Sequence, residues 1–198
     1  MNYLAHLLLC DGRPESLVGS ILGDFSRGVD LDALDPGVRE AVALHFRVDA
    51  FTDGHPVVGQ SKRRIQPPHR RYAGVLVDMF YDHFLARRWD RYSEVPLDAF
   101  TATVYEALAQ AEAYLPERMA RVSRAMAAGD WLGSYRRLEA IDTALQRMSR
   151  RITRANDLAT GVNALIANYD LLECDFHRFF PELRDHARSI SAGEPRVR

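Results

Sequence analysis

Residues 77–85 read VDMFYDHFL and set Asp78, Asp82 and His83 among apolar and aromatic neighbours. A buried carboxylate persists only when it is paired, hydrogen-bonded or bound to a cation. This stretch is therefore the first place to look for chemistry. Asp78 and Asp82 are four residues apart and share a helix face, with His83 turned by about 100° from Asp82. A second run, HFRVDAFTD at 45–53, spaces His45, Asp49 and Asp53 along one helix face. His6 stands in the apolar run YLAHLLLC, and Asp24 in GDFSRG. Oxygen and imidazole donors without thiolate suit Mg²⁺ or Mn²⁺, with Fe or Zn as alternatives. An ion so held activates a water and neutralises a phosphate, which is what phosphoester hydrolysis requires. Each residue also has an ordinary structural use. His6 alone reads as a hydrogen-bonded core histidine, Asp53 as a partner for the turn at Gly54, and Asp49 as a partner for Arg47.

The elements that must position these groups read as helices throughout, with no period-two alternation bounded by hairpin turns. The expected helices begin with Tyr3–Leu9. A second starts near Pro14 and stops at Gly28, and a third runs from Pro36, capped by Asp35, to Gly54. A short helix follows Pro56 and stops before Pro67. A long one, about His69–Asp90, carries the opening motif. Proline brackets the next at Pro96 and Pro116. Later helices are expected over about 117–128, 133–151 and 157–180, with Pro181 ending or kinking the last. No repeat, low-complexity segment or linker interrupts the chain. The expectation is an all-α, single-domain helical bundle over residues 1–190, with a flexible tail at 191–198.

The chain has 198 residues, which suffices for a substantial core without disulfides. Its two cysteines, Cys10 and Cys174, are far apart and read as buried apolar residues of a reduced, cytoplasmic protein. The N-terminal apolar run is too short to span a bilayer and lacks the flanks of a signal peptide. A formal net charge of −1 gives no bulk drive toward nucleic acid or anionic lipid. Local charge is uneven, with pairs or triplets at Lys62-Arg63-Arg64, Arg70-Arg71, Arg87-Arg88, Arg136-Arg137 and Arg150-Arg151. Several of these on one side of the fold would form a docking surface for an acidic partner. The sequence does not fix whether they converge, nor the oligomeric state.

The segments MNYLAHL, GSILGDFSRG, HFRVDAFTD and DMFYDHFL, in that order, resemble the acyl carrier protein phosphodiesterase family. That family is itself similar to the HD-type metal-dependent phosphohydrolases, with the order of metal-binding residues altered. The resemblance implies an HD-phosphohydrolase-like fold and hydrolysis of the phosphodiester joining 4′-phosphopantetheine to a serine of acyl carrier protein. It implies a divalent metal, Mn²⁺ or Mg²⁺, held by residues drawn from Asp24, His45, Asp49, Asp78, Asp82 and His83, with His6 and Asp53 as further candidates. No expected ligand type is missing. On that basis the expected roles are Asp82 or Asp49 to orient or deprotonate water, His83 to protonate the leaving serine oxygen where it is not itself a ligand, and Arg27 and Arg47 to clamp the phosphate. The acidic carrier would meet Lys62, Arg63, Arg64, Arg70, Arg71, Arg87 and Arg88. A groove for the pantetheine arm is expected, with Phe25, Phe46 and Phe80 assigned to the core rather than to it. Two other readings fit the same residues: an HD-type nucleotide phosphohydrolase, and a helical protein that binds carrier protein without cutting it.

Overall fold

The computed structural model describes residues 1–193. Of the tail expected at 191–198, Ser191 closes the last helix and residues 194–198 lie outside the described residues. Among the described residues there are eleven α-helices, five short 3₁₀ segments and no strand. The all-α expectation holds.

The first helix, α1, spans Tyr3–Leu9. α2 runs over Pro14–Leu22 with proline at its first position, and a 3₁₀ turn at Gly23–Phe25 follows it. The helix therefore stops six residues before Gly28, whose φ of +83° belongs to the next turn. α3 occupies Pro36–Gly54, and the Asp35 carboxylate accepts from the Gly37 amide at 2.8 Å, so the sequence-read cap holds. α4 covers Pro56–Arg64.

The expected long helix over 69–90 is broken into a 3₁₀ turn at His69–Tyr72, α5 at Ala73–Arg87 and a 3₁₀ turn at Trp89–Arg91. α6 is Leu97–Gln110 and α7 is Glu117–Ala128. The segment expected as one helix over 133–151 is two, α8 at Trp131–Ser134 and α9 at Leu138–Ser149. The last expected helix resolves into α10 at Val162–Ala167 and α11 at Tyr169–Ser191. Pro181 sits inside α11, which continues to Ser191 and does not end there.

α5 is the central helix. Residues from Leu76 to Ala86 are buried with the single exception of the half-buried Asp78. A helix apolar on every side is one surrounded by others. α1, α4, α9 and α11 pack around it. α2 and α3 approach most closely, because a Cβ added at Gly19 would lie 2.4 Å from the Val38 carbonyl oxygen. Two expectations about burial change. Phe46 is 47% exposed rather than core, and Cys174 is exposed rather than buried. No helix among the described residues is long and apolar enough to cross a membrane.

Candidate metal centre

Four segments converge on one point. α1 supplies His6, the 3₁₀ turn after α2 supplies Asp24, α3 supplies His45 and Asp49, and α5 supplies Asp78. One potential ligand atom from each of His6, His45 and Asp49 lies within 4.8 Å of the others. His6 Nε2 is 3.1 Å from Asp49 Oδ1, and His45 Nε2 is 3.3 Å from Asp49 Oδ2. The two imidazole rings stack with centroids 3.9 Å apart. Asp24 Oδ1 stands 3.9 Å from His45 Nε2. The Met1 amino nitrogen lies 3.1 Å from Asp49 and 3.5 Å from Asp78, so these two carboxylates aim into one space.

Local structure explains the placement. The spacing of four residues puts His45 and Asp49 on the same face of α3. The His45 ring rests against Gly23, where an added Cβ would fall 2.4 Å from ring carbons. Its Nδ1–H donates to the Ser20 carbonyl at 2.9 Å, which fixes the ring with Nε2 facing the carboxylates, where a proton or a cation can bridge them. His6 is 2% exposed, burial pushes its pKa down to about 4, and its Nδ1 has no partner. Burial acts to raise the Asp49 pKa, but hydrogen bonds from His45 and His6 outweigh it and hold the group below the usual carboxylate range. Two buried imidazole Nε2 atoms on the two oxygens of Asp49, with the Asp24 carboxylate 3.9 Å from one of them, are a donor set that fits a divalent cation.

The other sequence-marked residues are spread more widely. Both Asp82 oxygens are taken, by the Leu4 amide at 2.8 Å and the Ala5 amide at 3.1 Å. Asp82 thus supplies the cap that Asn2, with no side-chain bond there, does not give to α1. It is fully buried, and burial pushes its pKa up to about 7. His83 points elsewhere: its Nδ1–H donates to the Tyr135 carbonyl at 2.7 Å and its Nε2 accepts from the Tyr169 hydroxyl at 2.9 Å. Neither residue joins the cluster, because each answers the cost of its burial with partners of its own. Asp53 is exposed at the end of α3 and pairs with Lys62 at 2.7 Å.

Arg47 borders a separate cavity with Cys10 and Ser191, and Arg27 is exposed beyond the 3₁₀ turn. Among the basic residues marked for carrier docking, three are engaged internally. Lys62 holds Asp53, Arg64 holds the buried Asp175, and Arg88 holds Glu173. Arg63, Arg70, Arg71 and Arg87 are exposed and make no ion pair among the described residues. Arg87 lies 6.0 Å over the Tyr169 ring.

A cavity of about 260 Å³ opens beside the cluster, bordered by Tyr3, Asp24, Phe25, Asp78, Arg118 and Met148. Arg118 lies 5.5 Å over the Phe25 ring and makes no ion pair among the described residues. The sequence reading missed Arg118, Tyr3 and Met148. Arg118 is one of three arginines, with Arg121 and Arg124, on an amphipathic helix, and nothing in that spacing singles it out from a solvated helix face.

The chain matches the family model described as acyl carrier protein phosphodiesterase over residues 1–183. Curated relatives carrying that name align over nearly all of both chains. A protein of Enterobacter sp. (strain 638) is 33% identical over 190 residues, covering 96% of this chain and 98% of that one. One of Escherichia coli O6:H1 is 33% identical and one of Salmonella dublin 34% identical, each over 188 residues covering 94% of this chain and 97% of the relative. No solved structure matches. With a match of this extent, the chain belongs to the acyl carrier protein phosphodiesterase family, a family of phosphoric diester hydrolases.

Proposed function

We propose that this protein is a metal-dependent phosphodiesterase. It releases 4′-phosphopantetheine from the serine of holo-acyl carrier protein and leaves apo-carrier protein. The convergence of His6, His45 and Asp49 beside a cavity that Asp24 and Asp78 border carries this reading, joined to the names of the relatives. Mn²⁺ or Mg²⁺ suits the oxygen-rich donor set. Bound there, such an ion would bring a phosphate oxygen and an activated water together.

The chain's own groups supply the rest. His45, held by Ser20, presents Nε2, and Asp49 spans both histidines with its two oxygens. Asp24 and Asp78 face the cavity and are the carboxylates available to accept the proton of the attacking water. Asp82 does not suit that task, because two backbone amides already occupy it. Arg118 borders the same cavity with its charge unpaired, which suits it to meet the phosphate in the place first given to Arg27 and Arg47. Water oxygen bonds to phosphorus, the bond from phosphorus to the serine oxygen breaks, and that oxygen takes a proton. The phosphate leaves on the pantetheine. Arg63, Arg70, Arg71 and Arg87 remain available for the acidic carrier.

The direct test is intact-protein mass spectrometry of holo-carrier protein incubated with this protein and Mn²⁺, with a chelator control. The expected outcome is loss of the phosphopantetheine mass, blocked by the chelator. An unchanged carrier mass with metal present and the protein folded would overturn the proposal. Cleavage that continues at full rate in the chelator would remove the metal from it.

A further inference from the structure

A second cavity, of about 270 Å³, lies where α7, α8 and α9 meet. Trp131, Ser134, Ala140, Thr143, Ala144 and Arg147 are part of its wall. It shares Tyr3 and Met148 with the cavity at Asp24 and Asp78, so the two spaces adjoin across these side chains. Ala140, Ala144 and Arg147 recur along one face of α9, and the alanines leave room where longer side chains would close the space.

Resting on the proposed function, we infer that this second cavity receives the pantetheine arm of the carrier while its phosphodiester lies at Asp24 and Asp78. The arm is slender and uncharged along its length, with amides between short apolar segments. The wall matches that alternation. The Trp131 ring, Ala140, Ala144 and Met148 offer apolar surface. The Ser134 hydroxyl donates to the Trp131 carbonyl and the Thr143 hydroxyl to the Glu139 carbonyl, which leaves both oxygens free to accept an amide N–H. Arg147 lies 5.5 Å over the Trp131 ring and has no carboxylate partner among the described residues, so its N–H groups can meet an amide carbonyl. At the seam stands Tyr3, which borders both cavities and whose phenol is a further hydrogen-bond donor. Pockets of this kind, apolar with a few convergent polar groups, typically hold small ligands.

Binding energy from a non-reacting part of a substrate positions the reacting part, so blocking the arm should cost turnover of the full substrate alone. The test compares Ala144→Phe with wild type on holo-carrier protein and on bis(p-nitrophenyl) phosphate, both with Mn²⁺. The expected result is a fall of about tenfold or more in kcat/KM for holo-carrier with the small diester unchanged. Titration with pantetheine alone should change the emission of Trp131 in wild type and do so less in the variant. Trp89, buried under Phe100, gives a constant background. Ala140→Leu fills the same space with less bulk and replaces Ala144→Phe if that variant does not fold. A folded variant that cleaves holo-carrier as fast as wild type overturns this inference and leaves the proposed function standing. Equal losses on both substrates overturn it as well, since they locate the damage at the metal centre. Wild-type protein that leaves holo-carrier intact overturns the proposed function, and this inference falls with it.

Discussion

His45 and His83 are both buried imidazoles that donate from Nδ1 to a backbone carbonyl, yet their other nitrogens meet different surroundings. His45 Nε2 faces the carboxylates of Asp24 and Asp49, where protonation or a cation is favourable. His83 Nε2 accepts from the Tyr169 hydroxyl, a contact that requires the neutral ring. Burial first, then the positive charge of Arg87, pushes the His83 pKa below its ordinary value. The sign of the pH effect follows. The unfolded chain takes up the proton more readily than the folded one, so the contribution of His83 is complete above the ordinary value of 6.5 and is lost as pH falls below it. Replacing His83 by Leu should leave the Tyr135 carbonyl and Tyr169 hydroxyl unpaired and cost about 1–3 kcal/mol. Urea unfolding of that variant should also show a shallower loss of stability on the acid side than wild type. Turnover of the folded variant should stay near wild type, and abolished turnover with unchanged stability would return His83 to the catalytic set.

The link between α5 and α1 explains both what the sequence disclosed and what it hid. Helix type, the Asp35 cap and the pairing of His45 with Asp49 were legible because each is a local regularity of spacing or capping. The partners of Asp82 were not, since they are backbone amides of Leu4 and Ala5, 78 and 77 residues away in the chain. The same rule that buried charge needs a partner fits a metal ligand and a remote helix cap equally well. The break after Leu22 was hidden because Phe25 continues the helical spacing of Ile21 and Leu22 across the 3₁₀ turn at Gly23–Phe25. Asp82 acts through α1, the helix that carries His6. Asp82→Ala leaves two buried amides unpaired and should cost about 1–3 kcal/mol in unfolding experiments. It should also weaken Mn²⁺ binding in calorimetric titration, because His6 loses its anchored helix. Asp82→Asn keeps one acceptor oxygen and should fall between the variant and wild type. Stability unchanged with turnover abolished would instead make Asp82 a participant in the chemistry.

At the scale of the whole molecule, the proposed function requires an acidic carrier to approach a centre that is itself rich in carboxylates, on a protein of net charge −1. Attraction must then come from how the positive charge is arranged. Charge committed to internal pairs contributes least, which discounts Arg64, bound to an Asp175 that is 2% exposed, and Arg88, bound to Glu173. Reversing Arg64 would strand a buried carboxylate and unfold the protein rather than report on docking. Arg147 and Arg151 border the second cavity, exposed and without ion pairs among the described residues, and Arg118 stands at the first. Together they rim the adjoining cavities at Tyr3. Arg63, Arg70 and Arg71 lie on and just after α4. The rim at Tyr3 is the stronger candidate for the carrier, since a tethered arm reaches only a site beside the surface that holds its protein. The double variant Arg147→Glu, Arg151→Glu should raise KM for holo-carrier by about tenfold at low salt and leave bis(p-nitrophenyl) phosphate hydrolysis unchanged. The difference from wild type should shrink toward 1 M salt, where the Debye length falls to about 3 Å. If KM is unmoved by that pair but rises in Arg63→Glu, the carrier docks along α4 and its arm must cross to the metal centre from that side.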